Sequence, residues 1–466
     1  MRVSLTSYQG LDLFHLREGY STGRFVPRQV AEEVLRRISE RSSRAEWICL
    51  VPEAELLARA DRLATLDTNL PLYGIPFAVK DNIHVKGLPL TAGCPDYRTL
   101  STTTSPVVQR LLDLGAMLIG KNTMDEFATG VVGVRSDPHP VSPFNPDFIP
   151  GGSSSGSGVV VSTGCVTFSL GSDTGGSGRL PAAMCNIVGF KPTPHLLSNE
   201  GMVYANKSID CIPVFARTAV EAEYVFRQLM EKNRAAGLLA DSIPDLKRIR
   251  IAIPDAEGLN FFGDARAEAC FKDVLKSLEG QGVRIEPIDF SVFAEAGALL
   301  FDGAFVSERY DSVGRFIKQH PDSVNEVVAG SILKGETVTS HDIWTDIARL
   351  NHLKTAALQL LASFDCLLMP TAGTLYRCDE VKANPLELNR NMAYYTNFGN
   401  LLELSVVSVP GRMRDDGLPF GISFAGPRYS DYQMLALAKQ WEQISSIQPG
   451  APVYCGDLKK IMTNME

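Results

Sequence analysis

The sequence predicts an α/β fold with a mostly covered sheet, and three features predict it. Short apolar runs of strand length alternate with helix-periodic segments. The strand runs are apolar throughout rather than alternating, the pattern of strands buried on both faces. Polar residues cluster at the ends of those runs, where a site would sit. Taken in order, Pro27 followed by Val30, Val34, Leu35 and Ile38 places an amphipathic helix with proline in its first turn. Ile75-Pro76-Phe77-Ala78-Val79, fenced by Gly74 and by Lys80-Asp81-Asn82, reads as a buried strand ending in polar groups. Val107, Val108, Leu111 and Leu112 read as a helix, and Ala116 to Ile119 as the next strand. From Gly151 to Gly178 the composition turns to Gly, Ser and Thr. Val159-Val160-Val161 and Phe168-Ser169-Leu170 are set inside this stretch, so it is tight packing around a site rather than linker. Further on come a strand at Ile249–Ile253, a helix at Asp264–Leu278 and a strand at Val283–Ile288. Cys366–Met369, Ser405–Val409 and Phe420–Phe424 read as three more strands, with Asp416-Gly417 as a turn between the last two.

The 466 residues exceed the usual size of one domain, and the 45% hydrophobic, 21% charged balance is that of a globular protein. A net charge of −8 provides no general attraction for phosphate backbones or anionic lipid, so neither nucleic acid nor membrane is expected as a partner. The nine cysteines are scattered singly, without a Cys-x-x-Cys pair. The start, Met1-Arg2-Val3-Ser4-Leu5-Thr6, shows no basic region followed by an apolar one, and no run of about 18 apolar residues occurs. These features point to a cytoplasmic protein with reduced thiols.

Several motif matches fail on their chemistry. Gly115 to Asn122 nearly fits a phosphate loop, but Asn122 stands where a magnesium-binding Ser or Thr is needed, and the intervening residues are strand-like. Ser331-Ile332-Leu333-Lys334 lacks the companion motifs of penicillin-recognising enzymes. Gly152-Ser153-Ser154-Ser155-Gly156 fits a nucleophile elbow, yet Pro146 to Pro150 makes a poor preceding strand. His195, His320, His341 and His352 follow it in order only, and no histidine shows metal-ligand spacing.

A larger constellation remains: Lys80 at a strand end, Ser153 in a Ser/Gly cluster, and Ser177 closing Gly171-Ser172-Asp173-Thr174-Gly175-Gly176-Ser177. A serine hydroxyl needs a base to become a nucleophile. A lysine serves when burial disfavours its charged form, and a second serine can relay the proton between them. The glycines before Ser177 leave backbone N–H groups open to a developing oxyanion. Spacing alone does not separate this reading from tight-packing glycines beside a solvated lysine.

These stretches resemble the amidase signature family. The resemblance rests on Gly74 to Asn82, on Gly151-Gly152-Ser153-Ser154-Ser155-Gly156-Ser157, and on Gly171 through Ser177-Gly178-Arg179-Leu180-Pro181, with Val188 to Pro192 in support. It covers essentially the whole chain and implies one α/β/α domain over 1–466 around a large twisted mixed sheet. A helical segment over about 1–70 would precede a catalytic core over about 71–450, with no additional C-terminal domain. It also implies an amidohydrolase with Ser177 as nucleophile, Ser153 as bridge and Lys80 as base. Thr174, Gly175, Gly176 and Ser177 would provide the oxyanion amides, a cis peptide would precede Ser153, and no metal or organic cofactor would be required.

Within the family the sequence is most similar to the amidase domain of allophanate hydrolases. The likeness is carried by Ser155, Gly178-Arg179, Phe127 to Gly130, Ser208 to Cys211, Met369 to Ala372, Tyr395 to Phe398 and Leu418 to Gly421. It implies a small carboxylated substrate, allophanate, held by Arg309 and by the backbone of Gly130, and a homodimer acting alongside a urea carboxylase. Two departures stand out, one being the extra C-terminal domain that bacterial relatives commonly carry and that is not expected here, since the sequence stops soon after Pro452. The other is that allophanate hydrolases carry tyrosine eight residues before the arginine, and here the residue is Phe301. The family also implies two alternatives: an amidase for another small amide, or an amidotransferase A-type subunit that works on tRNA with a partner.

Overall fold

A computed structural model describes residues 4–41, 43–230 and 245–451. The chain end from Pro452 onward, where no further domain is expected, lies outside them, as does Cys455. Thirteen strands lie among the described residues: β1 Trp47–Leu50, β2 Pro76–Lys80, β3 Pro89–Leu90, β4 Thr99–Leu100, β5 Met117–Asn122, β6 Phe168–Leu170, β7 Val188–Lys191, β8 Val214–Ala216, β9 Arg250–Pro254, β10 Arg284–Ile288, β11 Cys366–Pro370, β12 Ser405–Met413 and β13 Pro419–Gly426. Eleven of them form one mixed sheet in the order β1-β5-β2-β6-β8-β7-β12-β13-β11-β9-β10, while β3 and β4 pair separately.

Burial on both faces explains the uninterrupted apolar runs. In β11, Cys366 and Leu368 belong to one hydrophobic core, while Leu367 and Met369 belong to another. Ile251 and Ala252 of β9 divide the same way, as do Val407 and Val406 of β12. Successive side chains of a strand point to opposite faces, so each strand feeds two cores. The first core takes the helices Pro27–Ser39, Ala219–Leu229, Ala265–Glu279 and Asp431–Ser445; the second takes Ser291–Asp302 and Ser340–Leu361. The layers are therefore helix, sheet, helix, as expected.

The strand expected at Ile75–Val79 is β2, displaced by one residue so that Lys80 is its last member. The remaining expected strands and the helices at Pro27 and Asp264 appear within a few residues of their predicted ends. The stretch over 1–70 is not purely helical, because β1 pairs antiparallel with β5 and ties it to the sheet edge. The helix Ser155–Ser162 is buried at all eight positions, which is why its serines and glycines sit among three valines. The turn at Asp416-Gly417 joins β12 to β13, with Gly417 at φ 77°.

What positions the site is three parallel neighbours. β5, β2 and β6 run side by side in the same direction. Their carboxyl ends therefore open at one edge of the sheet, where α/β proteins commonly bind ligands.

Candidate active site

Each of the three strands delivers a polar group at that edge. β2 ends in Lys80, β6 is followed by Gly171, Ser172 and Asp173, and β5 runs on through Thr123 and Met124 to Asp125. Ser153 arrives just before the buried helix Ser155–Ser162, after a cis Gly152–Ser153 peptide. The backbone N–H of Asp125 donates to Ser153 O (3.0 Å), joining the Ser153 turn to the end of β5.

These pieces form one hydrogen-bonded line. Lys80 Nζ donates to Ser153 Oγ (2.7 Å), and Ser153 Oγ donates to Ser177 Oγ (2.8 Å). All three residues are buried. Sequence reasoning missed Ser172 as a partner of the lysine: Nζ also donates to Ser172 Oγ (2.8 Å) and Ser172 O (3.4 Å). Asn82 Nδ2 reaches the same hydroxyl at 3.2 Å. The only sequence clue was that Ser172 stands immediately beyond the strand next to β2.

Burial pushes the Lys80 amine down to about 7, against the attraction of Asp125, Asp210 and Asp173, with Arg309 adding to the depression. A neutral amine has two N–H groups and one lone pair. Ser172 provides two acceptors for the N–H groups, and the lone pair is left for Ser153. With hydroxyl rotation, the Lys80–Ser153–Ser177 line then runs in reverse, as a path for a proton from Ser177 to nitrogen.

The Ser177 loop is held by a buried ion pair. Arg179 donates to Asp173 through Nη2 (2.8 Å) and Nε (2.9 Å), and also to Thr396 O and Asn400 Oδ1 (both 2.9 Å). Burial alone would raise the Asp173 carboxyl, but Arg179 holds it below the usual range, with help from Lys191 and the Gly178 amide. Asp173 also accepts the N–H of Gly176 (3.0 Å) and of Gly178 (2.9 Å). The Gly176 amide, expected among the oxyanion donors, is thus engaged by a carboxylate in this structure. Among the described residues, no protein acceptor takes the N–H of Thr174, Gly175 or Ser177. Gly176 itself has φ 129°, and a Cβ there would land 2.3 Å from Thr396 Oγ1. Only glycine fits.

Arg309 lies in the short helix Val306–Arg309 and is fully buried. Its Nη1 donates to Thr129 Oγ1 (3.1 Å) and Ala128 O (3.4 Å), and the guanidinium lies over the Phe301 ring at 4.8 Å. Neither of these acceptors is a carboxylate, and its Nε has no acceptor among the described residues. Burial lowers it to about 10, opposed by the attraction of Asp210. Asp210, which burial raises to about 6, accepts from the Thr174 hydroxyl and from the N–H groups of Ala205 (2.8 Å) and Asn206 (3.1 Å). Gly130, next to Thr129, packs against Arg135; a Cβ there would meet Arg135 Nη1 at 2.6 Å. Phe301, Arg135, Asn389 and Asn397 line a cavity of about 300 Å³. A larger one of about 560 Å³, lined by Val220, Ala436, Lys439 and Glu442, touches none of the groups above.

The rejected motifs stay rejected. Phe148 makes only an isolated bridge to Arg377, so no strand precedes Gly152, and His195, His320, His341 and His352 are all exposed. Ser331 and Lys334 border the 300 Å³ cavity, but the Ser331 hydroxyl donates to Val327 O. No helix among the described residues is long and apolar enough to cross a membrane.

Known proteins resemble this chain over most of its length. The urea amidolyase of Saccharomyces cerevisiae is 35% identical over 409 residues, covering 85% of this chain and 22% of that protein. A glutamyl-tRNA(Gln) amidotransferase subunit from Exiguobacterium sibiricum is 30% identical over 432 residues, covering 83% and 87%. Among solved structures, an allophanate hydrolase from Kluyveromyces lactis superposes with a TM-score of 0.87 at 34% identity, covering 97% of this chain and 75% of that one. The chain thus spans under a quarter of the length of the yeast urea amidolyase it matches. The Amidase family model matches residues 29–435, a span that contains the Lys80 strand, both serines and Arg309. On that match, the chain is an enzyme of the Amidase family.

Proposed function

We propose that the chain hydrolyses allophanate, the carboxylated form of urea, through Ser177. The observation that carries this reading is Arg309: a buried guanidinium without a carboxylate partner, near enough to the Lys80 amine for its charge to add to that amine's depression. An unpaired buried cation is costly, and a substrate carboxylate would neutralise it through charge-assisted hydrogen bonds. With the carboxylate at Arg309 and near the Gly130 backbone, the terminal amide carbonyl is presented to Ser177. Neutral Lys80 takes the Ser177 proton through Ser153 while Ser177 Oγ bonds to the carbonyl carbon. The oxyanion rests on the amides of Thr174, Gly175 and Ser177. Collapse breaks the C–N bond, the proton returns to the departing ammonia, and water cleaves the acyl-enzyme by the same relay. The carboxylated carbamate released then loses carbon dioxide. A urea carboxylase is the activity that would supply the substrate, and the active form is a homodimer.

The test is ammonia release from allophanate, malonamate and a neutral amide by wild type and Arg309→Met. The variant is expected to lose about ten- to a hundredfold in kcat/KM on both carboxylated substrates, the range for hydrogen bonds to a charged group, and little on the neutral amide. A wild type that cleaves simple amides but releases no ammonia from allophanate overturns the substrate. Phe301 favours a second reading, an amidase for another small carboxylated amide, because no hydroxyl stands beside Arg309 at that position. Phe301→Tyr separates the two: a large rise in allophanate turnover marks a site diverged toward another substrate.

A further inference from the structure

Asn397 packs against the Ser177 loop and lines a cavity together with Phe301, yet its side-chain oxygen has no donor. Its Oδ1 is buried and without a hydrogen-bond partner in the protein. A Cβ built on Gly175 would lie 2.7 Å from that oxygen and 2.5 Å from Leu300 Cδ2, so Oδ1 is set directly against the backbone of the Ser177 loop. From behind, Asn397 is braced by the helix Ser291–Asp302, where a Cβ on Gly297 would come 3.2 Å from Asn397 Cβ. The same residue lines the 300 Å³ cavity with Phe301 and Arg135, and an adjoining one of about 150 Å³ with Phe301 and Tyr394. Phe301 in turn packs on the Arg309 guanidinium. A buried acceptor without a donor carries a desolvation cost until a ligand offers an N–H.

We infer that Asn397 is a specificity-determining residue whose Oδ1 accepts the N–H that bridges the two carbonyl carbons of the substrate. The inference rests on the proposed hydrolysis of a carboxylated urea. If the reacting carbonyl sits at Ser177 and the carboxylate at Arg309, the group joining them passes the face that Asn397 presents between Gly175 and Phe301. In allophanate that group is N–H. In malonamate it is CH₂, which offers no hydrogen-bond donor and leaves Oδ1 unpaired. Asn397 therefore selects N-carboxylated ureas over their methylene isosteres, the kind of discrimination that a buried polar group provides and an apolar wall cannot.

The experiment compares kcat/KM for allophanate with kcat/KM for malonamate, by ammonia release, in wild type, Asn397→Leu and Asn397→Ala. The expected result is that the allophanate-to-malonamate ratio falls about tenfold in both variants while malonamate turnover is retained. Retained malonamate turnover also reports that the variant is folded. Should the leucine variant be inactive on both substrates because its branch does not fit, the alanine variant carries the same readout. An unchanged ratio in the alanine variant, or an equal loss on both substrates, overturns the inference and leaves the proposed function standing. Failure of wild type to hydrolyse allophanate overturns the proposed function, and this inference with it.

Discussion

Because the Lys80 amine is held near 7, the rate should follow the neutral amine rather than the ammonium. The perturbation is pH, read as kcat/KM, which reports the free enzyme's ionisation. For a base at about 7, the competent fraction is about 9% at pH 6, half at pH 7 and about 91% at pH 8. The rate should therefore rise roughly tenfold from pH 6 to the plateau and stay level until another group titrates. The sign follows from burial, which favours the uncharged form; proton uptake below 7 removes the acceptor for the Ser153 hydroxyl. Lys80→Arg provides the control, since a guanidinium keeps the charge but does not deprotonate in proteins. It should lose about 10²–10⁴-fold across the whole range, the usual worth of a positioned general base. The assay is ammonia release from allophanate or malonamate in buffers of constant ionic strength. A profile that is flat from pH 5.5 to 8.5, or one that falls with rising pH, refutes the reasoning, as does an arginine variant with most of its activity intact.

Further outcomes follow from the relay and from the contacts that hold the Ser177 loop. Ser177→Ala should abolish turnover while leaving the unfolding midpoint nearly unchanged, and Ser153→Ala should cut the rate by about 10²-fold or more because it interrupts the relay; substantial turnover in the Ser177 variant would exclude Ser177 as the nucleophile. Asp173→Ala leaves the buried Arg179 guanidinium without its carboxylate and frees the Gly176 and Gly178 amides, so urea unfolding should show a loss of about 3–5 kcal/mol. Because the Asp173 carboxyl is held below the usual range, its stabilising contribution is present above that range and lost as the pH falls through the lowered value. Wild type should therefore lose stability on acidification over a window that is absent in the variant.

Much of the sheet was legible because its strands are buried on both faces. Runs such as Phe77-Ala78-Val79 and Cys366 to Met369 leave little room for another reading once polar residues bound them. Elements that break that rule were harder. β1 is mostly half-buried at the sheet edge and lies in a stretch of helical spacing, so nothing local marks it as a strand. β8 is three residues long, and its strand character comes from pairing with β6 and β7 rather than from its own pattern. β12 runs to Met413, past the predicted Val409, because its hairpin with β13 continues beyond a bulge near Pro410.

On the site, chemistry restricts which side chains can activate a hydroxyl and so allowed Lys80, Ser153 and Ser177 as a relay, but it was the resemblance to the amidase signature family that favoured this reading over tight-packing glycines beside a solvated lysine. Which backbone amides remain open was decided by tertiary structure alone: Asp173 takes the Gly176 N–H through a side-chain geometry that no spacing encodes. The same holds for Ser172 and Asn397. Ser172 meets Lys80 only because β2 and β6 are parallel neighbours, and Asn397 meets Gly175 only because chain segments more than two hundred residues apart pack together. A linear pattern records what each residue can do, whereas its partners are set by which distant segments share the same few cubic ångströms.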